Sequence, residues 1–409
     1  MKSIGQAQRE IVESAVPVPV EEVALQRARG RMLAGAIYAA RDLPGFDHSA
    51  MDGYAVRHAE LSGAGALPIR GESRAGGELP GPLATGHAMR IFTGAPMPEG
   101  ADTVIIQEDV ERDGDAIRGR ERPAVGANIR RRGSDLATGA EALSEGRLVG
   151  PGEIALLAAL GCARVAVRRV PRVAIVCTGD ELRDVDEALP PGALVNSNAY
   201  MLAAQVEDAG GVPHVLPNAP DRIDAIQERF EQALAGSDVV LTSGGVSVGD
   251  HDLVAEALAR ASVTSRFWKV AMKPGKPLLF GAAGRVPVLG LPGNPVSAFV
   301  GFEVFVRPLL SRLLGSRTPY PALVPVQLAH DHRKSQGRPE LARGVLRNDA
   351  DGMLTATLHA RQGSGSLPSI AQVDALVLLP GEATQMRSGT SLVALPVGAR
   401  PSRGEPTFP

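Results

Sequence analysis

The chain predicts a multidomain fold of α/β and β units, centred on a doubly wound, mainly parallel α/β domain over residues 170–317. Three observations predict it. Short apolar runs alternate with amphipathic helical stretches from about 173 to 314, which suits parallel strands joined by crossover helices. Two Gly-rich loops, Ser243-Gly-Gly-Val-Ser-Val-Gly-Asp250 and Gly290-Leu-Pro-Gly-Asn-Pro295, each follow an apolar run and precede a helical stretch. The flanking stretches, about 42–145 and 318–409, hold short β-like runs broken by Gly, Pro and Asp, as small β domains do.

Taken in order, residues 1–40 read as helices, with Ile4, Ala7, Ile11 and Val12 on one stripe and a second helical stretch, carrying Val23, Leu25, Met32 and Leu33, after Pro17 and Pro19. Residues 89–92 and 103–106 read as strands of the first β unit, and 151–160 as a helix closed by Gly161. In the α/β region, strands are expected at 173–178, 212–216, 238–242, 267–272 and 287–291. Helices are expected at 198–209, from Asp221 as N-cap to Gly236, at 253–261, and from Pro295 to Leu314 with proline at the first position. Residues 375–379 and 391–397 read as strands of the last domain.

Composition narrows the function. A formal net charge of −2 supplies no basic field for nucleic acid, and aromatics at 3% leave little for base stacking, so a small substrate is expected. Cys162 and Cys177 are too few for a disulfide framework or a zinc set, and no two of the eight histidines are spaced as helical metal ligands. With no apolar signal core and no stretch long enough to span a membrane, a cytoplasmic, membrane-free protein is the expectation.

Only five of the 43 basic residues are lysines, and three of those, Lys269, Lys273 and Lys276, fall within eight residues. Lysine offers a compact charge whose three donors can turn toward a phosphate or another oxyanion. Lys273-Pro274-Gly275-Lys276-Pro277 is a stiff turn that would hold two such charges, whereas Lys269 fits the strand pattern and reads as structural. Gly244, Gly245 and Gly249 would let backbone N–H groups approach a ligand, although the same loop could be plain turn chemistry. Asp180, Glu181, Asp221 and Asp252 follow strands or open helices on the same sheet edge. Acids opposite lysines suit Mg2+ and phosphate, while capping alone would explain Asp221. Asp52-Gly53 reads first as a hairpin turn, Arg130-Arg131-Arg132 as a solvated charge run, and 93–98 as a stiff loop.

As an ordered set these segments closely resemble the molybdopterin molybdenumtransferase family, the MoeA type that also forms the E domain of gephyrin. The matching segments are Pro44-Gly-Phe-Asp-His-Ser-Ala-Met-Asp-Gly-Tyr-Ala-Val56, Thr93-Gly-Ala-Pro-Met-Pro-Glu-Gly100, Asn128-Ile-Arg-Arg-Arg-Gly-Ser-Asp135 and Thr178-Gly-Asp-Glu-Leu182. The two Gly-rich loops, the lysine turn, Arg343-Gly-Val345 and Gln362-Gly-Ser364 complete them. The resemblance implies an elongated homodimer whose cleft is shared between subunits. It also implies four domains: a split N-terminal domain at 1–41 plus 145–169, an inserted mostly β domain at 42–144, the α/β molybdopterin-binding domain at 170–317, and a C-terminal β domain at 318–409.

The implied reaction inserts molybdate into adenylated molybdopterin, with hydrolysis of the adenylate and release of AMP. Asp52, Glu181, Asp221, Asp252, Lys273 and Lys276 are the implied catalytic residues, with Glu181, Asp221 and Asp252 as ligands of Mg2+. Thr93, Asp135, Ser243, Gly244, Gly245, Ser247, Gly249, Asp250, Pro292, Asn294, Arg343 and Ser364 would line the substrate site. The molybdopterin adenylyltransferase is an implied partner. It is also the rival reading on the same α/β fold, although it lacks the Met-Asp-Gly-Tyr segment and the flanking β domains. A non-catalytic pterin-binding scaffold is the other rival. Molybdate and tungstate are too alike for the sequence to separate.

Overall fold

The computed structural model describes residues 1–62, 65–245, 253–349 and 351–397. Ser247, Gly249, Asp250 and Asp252, expected in the site, lie outside the described residues. The chain forms two compact units, one of Met1–Glu22, Gly30–Ala34 and Ala166–Pro409, the other of Val23–Arg29 and Gly35–Val165.

The first unit is built on a six-stranded sheet in the order Val212–Val215, Arg172–Cys177, Val239–Ser243, Val286–Leu291, Pro277–Ala283, Thr264–Lys269. The first four strands are parallel, and the last two run antiparallel as an edge ribbon. Period-2 alternation explains why the central strands are apolar throughout. Val173, Ile175 and Cys177 face a core that also contains Ala7, Ile11, Leu202 and Val206. Ala174 and Val176 face the opposite core, with Ile226, Phe230, Ala257 and Leu258. Helices Ile4–Glu13 and Ser197–Asp208 therefore serve one face, and Ile223–Gly236 and Leu253–Arg260 the other. Pro295 opens a helical run that passes through a π-helical turn at Phe302–Val306 and ends at Leu313.

A five-stranded closed barrel in the same unit comprises Val324–Leu328, Leu354–Leu358, Glu340–Asn348, Ala375–Leu379 and Ser391–Pro396. The second unit carries a six-stranded sheet whose strand Gly53–Val56, buried at every residue, pairs with both Ala88–Ile91 and Thr103–Ile106. Its helix Pro151–Ala159 starts with proline, and Glu153 accepts from the Gly150 N–H at 3.0 Å. Among the described residues no helix is long and apolar enough to cross a membrane.

Three local expectations fail. Residues 23–33 are not helical: strand Val20–Ala24 runs into a single turn, Leu25–Arg27, and Gly30 has φ +77. Between Pro19 and Gly30 too few residues remain to nucleate and extend a helix. The strand expected at 267–272 is Thr264–Lys269, because the Val270 N–H turns to donate to the Lys276 carbonyl at 3.0 Å. Asp52-Gly53 is not a hairpin turn, since His48–Ser49 pairs with Ile129–Arg130 and not with Gly53–Val56.

Asp42 acts as a tie within the second unit. Its Oδ1 accepts from the Thr138 N–H at 2.7 Å and the Thr138 hydroxyl at 2.8 Å, and Arg132 binds its other oxygen. These contacts, the Thr138 N–H first, hold its carboxyl down to about 2. A carboxyl depressed in the fold adds stability that is complete above the ordinary Asp value of about 3.9 and is lost as pH falls through the folded value. The stability gap between the wild type and Asp42→Asn should therefore narrow between about pH 4 and about pH 2. Thermal midpoints measured across that range check it, and a constant gap would remove the assigned role.

Candidate active site

In the first unit the loops after the parallel strands meet. The residue after Arg172–Cys177 is Thr178, whose N–H donates to the Ser243 carbonyl at 3.3 Å. After Val239–Ser243, Gly244 and Gly245 take φ of +97 and +61. A Cβ on Gly244 would stand 2.7 Å from the Thr178 carbonyl oxygen, so only glycine lets the two loops pass. After Val286–Leu291, the buried Pro292 leads to Gly293, where a Cβ would lie 3.5 Å from the Gly244 Cα.

Asn198, on the first turn of Ser197–Asp208, pins these loops. Its Nδ2 donates to Ser243 Oγ and to the Gly293 carbonyl, both at 2.8 Å, and Ser243 Oγ donates in turn to the Pro292 carbonyl at 3.4 Å. Ser243 is thus buried and committed to holding the loop. Sequence reasoning missed Asn198, whose partners are 45 and 95 residues away. Asn198→Ala should leave Ser243 Oγ and the Gly293 carbonyl short of a donor and cost about 1–3 kcal/mol. Turnover should fall with it, while a wild-type melting profile together with full activity would show that the tie is dispensable.

The lysine turn joins the same edge. Gly275, at φ +89, lies against the start of helix Pro295–Gly301, where its Cβ would be 3.6 Å from the Ser297 carbonyl oxygen. Lys273 is preceded in the sequence by buried Met272 and followed by a cis bond to Pro274. Its N–H donates to the Pro339 carbonyl at 2.9 Å, and its carbonyl accepts from the Leu341 N–H at 2.8 Å. Its ammonium lies 3.2 Å from Glu340 Oε2, a carboxylate only 7% exposed. Lys276 is exposed. Lys269, the last residue of its strand, pairs across to Pro277, in keeping with a structural role.

The barrel supplies the remaining wall. The Ser364 carbonyl accepts from the Val296 N–H at 3.1 Å, seating the 362–364 loop on the helix start beside Asn294. Asn294 is exposed and makes no side-chain cap, which leaves its amide available. Arg343 is fully buried beneath that loop. It donates to the carbonyls of Arg361 at 2.9 Å and Gly363 at 3.2 Å and to Ser369 Oγ at 2.7 Å. Gln362 closes the arrangement by bonding both the N–H and the carbonyl of Arg343, at 3.0 and 2.9 Å. Arg343 therefore shapes the loop through its carbonyls.

Asp180 and Asp221 are brought together, with one departure from expectation. The residue preceding helix Ile223–Gly236 is Arg222, without a side-chain cap, so Asp221 is not the N-cap. Instead the Asp221 N–H donates to Asp180 Oδ1 at 3.0 Å, and the Asp180 N–H approaches Asp221 Oδ2 at 3.4 Å. Each carboxylate keeps its second oxygen outside this exchange. Glu181 is exposed and folds back over Gly179, where a Cβ would meet its carboxylate at 2.6 Å. Mg2+ needs only one or two protein carboxylates when substrate oxygens and water complete its shell, and these hard oxygen donors fit it. Among the described residues no group of three or more His, Cys, Asp or Glu forms a metal cluster.

The second unit holds its own cluster. Asp52 Oδ1 accepts from the Thr93 N–H and from the Thr93 hydroxyl, both at 2.8 Å. Those bonds, the backbone one first, hold the Asp52 carboxyl below its usual range, so it is ionised at neutral pH. The loop at 93–98 is thus more than a stiff connection. Arg90 donates to the Gly53 carbonyl at 3.0 Å and stacks on Phe92 and Tyr54. Asp135 is exposed and bonded to Arg130 at 2.6 Å, while Arg131 and Arg132 pair with Asp47 and Asp42, so the arginine run is a set of ties.

Comparison with known proteins gives a consistent result along the chain. Residues 2–161 match the family model for the MoeA N-terminal region (domain I and II), 174–312 a probable molybdopterin binding domain, and 325–397 the MoeA C-terminal region (domain IV). The chain is 38% identical to the molybdopterin molybdenumtransferase of Nostoc sp., covering 92% of this chain and 88% of that one. It is 35% identical to molybdopterin molybdenumtransferase 2 of Mycobacterium tuberculosis, covering 96% and 98%. The molybdopterin biosynthesis MoeA protein of Pyrococcus horikoshii OT3 superposes with a TM-score of 0.83 at 30% identity, over 97% of this chain and all of that one.

Proposed function

Because the chain belongs to the molybdopterin molybdenumtransferase family, we propose that it inserts molybdate into adenylated molybdopterin and frees the product by hydrolysing the adenylate. The observation that carries this reading is the meeting of the lysine turn, the Gly244 and Gly293 loops and the Ser364 loop at the carboxyl ends of parallel strands. Such strand ends are where open α/β sheets bind ligands. Both a pyrophosphate link and molybdate are anionic, and fixed ammonium groups beside backbone N–H donors suit them.

In this reading Lys273 and Lys276 bind the phosphate or molybdate oxygens. Water attacks one phosphorus of the pyrophosphate link, the bridging P–O bond breaks, and AMP leaves. The two dithiolene sulfurs displace an oxide of molybdate, which departs as water with the thiol protons. Asp52, ionised at neutral pH and contributed by the second subunit of the dimer proposed below, orients the attacking water. Gly244, Gly245, Pro292 and Asn294 approach the substrate from the loop edge and Ser364 borders it, with Thr93 and Asp135 contributed, like Asp52, by the second subunit of the proposed dimer. Glu181 and Asp221, with Asp252, would hold Mg2+, which when bound neutralises charge on the pyrophosphate oxygens. Chelating the metal from purified protein should stop AMP release and adding Mg2+ back should restore it. An unchanged rate after exhaustive chelation would remove Mg2+ from the reaction.

We further propose a cytoplasmic homodimer that receives its substrate from the molybdopterin adenylyltransferase, with the fourfold domain division given above. The deciding assay supplies adenylated molybdopterin and molybdate and follows AMP and active cofactor. Formation of adenylated molybdopterin from molybdopterin and ATP by this protein would overturn the assignment in favour of the adenylyltransferase.

A further inference from the structure

A second concavity in the first unit is lined by residues close in sequence to Asp180 and Asp221 and has no part in the scheme above. It has a volume of about 410 Å³, within the range of roughly 300–1,000 Å³ typical of small-molecule sites. Its apolar lining comes from Ala199, Ala203, Val215, Leu216 and Pro217, together with the half-exposed Tyr200. Its polar groups are Asp184, four residues beyond Asp180, and Asn218, three residues before Asp221, together with Asn196.

The hydrogen bonds already made inside the pocket define what is left to offer. Asn196, 5% exposed, accepts from the Ala199 N–H at 3.2 Å and donates to Asn218 Oδ1 at 2.6 Å. With its carbonyl so engaged, Asn218 presents its NH2 as donor. Asp184 Oδ1 accepts from the Tyr200 hydroxyl and from the Val185 N–H at 2.7 Å, which saturates that oxygen and leaves Oδ2 as acceptor. The same two contacts, the tyrosine first, keep the Asp184 carboxyl below its usual range. The pocket therefore combines a carboxylate acceptor and an amide donor with an apolar lining.

We propose that this pocket takes a planar fused heterocycle with a 2-amino-4-oxopyrimidine edge, and that the occupant is the pterin ring of the substrate. Asp184 Oδ2 accepts from the adjacent ring N–H and exocyclic amine, and Asn218 Nδ2 donates to the ring carbonyl. The choice of a pterin rests on the function proposed above. Guanine has the same edge, whereas adenine has neither the ring N–H nor the carbonyl and does not match.

The test is a fluorescence titration of the full-length protein with 6-hydroxymethylpterin, without molybdate or nucleotide, followed by competition with GMP and AMP. Asp184→Asn and Asn218→Leu should each weaken pterin binding by at least about tenfold, as expected for loss of a hydrogen bond to a charged or buried partner. AMP should not compete. In turnover, Asp184→Asn should raise KM for the pterin substrate with kcat little changed. Unaltered pterin affinity in both variants, or displacement of the pterin by AMP, overturns the proposed edge, and stronger binding of GMP overturns the pterin assignment. The two proposals can fail separately. A protein that binds pterin here but inserts no molybdate keeps the pocket and loses the function, whereas normal kinetics in Asp184→Asn keeps the function and loses the pocket.

Discussion

Lys276→Ala is expected to lower molybdate-dependent cofactor formation by about 10²-fold or more, the scale of removing one fixed charge-stabilising donor, while the protein stays folded. Its side chain is exposed, and its backbone, through the carbonyl that accepts from Val270, keeps the turn in place whatever the side chain. Asp52→Ala should lose activity to a similar degree, because its carboxylate is held ionised by Thr93 and both of its side-chain bonds go to that one exposed residue. The two variants together also test whether a dimer shares its sites between subunits. If each site takes Lys276 from one subunit and Asp52 from the other, a mixed dimer has one intact site and one doubly damaged site. Re-equilibrating equal amounts of the two variants should then recover about a quarter of wild-type activity, since half the dimers are mixed and each has one of two sites. No recovery despite proven subunit exchange would place both residues in one subunit's site. Full activity of both single variants would remove the proposed site altogether.

Gly53→Ala should destabilise the second unit by about 3 kcal/mol or more, the range in which severe backbone clashes fall. A Cβ there would overlap the Ile105 carbonyl and come within 3.0 Å of the Ile106 Cα, so the pairing of Gly53–Val56 with Thr103–Ile106 must open. Gly35→Ala, in the same unit but with open space around its Cβ and no positive φ, serves as the control. Hydrogen exchange at residues 88–91 and 103–106 reports the damage locally, which matters because a chain of two units need not unfold in one step. Equal protection in the two variants would show that the strand can absorb the methyl group. The glycine also explains Asp52, whose position is set by a neighbour on a strand that no other residue type fits.

The sequence made the parallel sheet legible because strands buried on both faces are written as unbroken apolar runs. It revealed the lysine turn because lysine is so scarce elsewhere in the chain. It misread residues 23–33, where apolar spacing suggested a helix but Pro19 and Gly30 leave no room for one. Asp221 was misread for a related reason. An aspartate before a helix is a common cap, yet here its partner is Asp180, 41 residues away, which no local pattern records. Asn198 and Glu340 were invisible in the same way, since their partners lie 45 and 67 residues off. Local chemistry can be read along the chain, whereas the ties that aim it are properties of the folded object.

The ion pair between Lys273 and Glu340 has a consequence for how the molecule can change over time. The turn that carries the ammonium is also the seam by which the barrel is stitched to the sheet, through backbone bonds to Pro339 and Leu341. A barrel usually drifts freely in sequence provided its interior stays filled, but this one is on a short leash. A substitution that tilts the strand Glu340–Asn348 is transmitted directly to the aim of a positive charge. The barrel is thus an adjusting screw for the Lys273 ammonium, and substitutions in its strands can retune where that charge points.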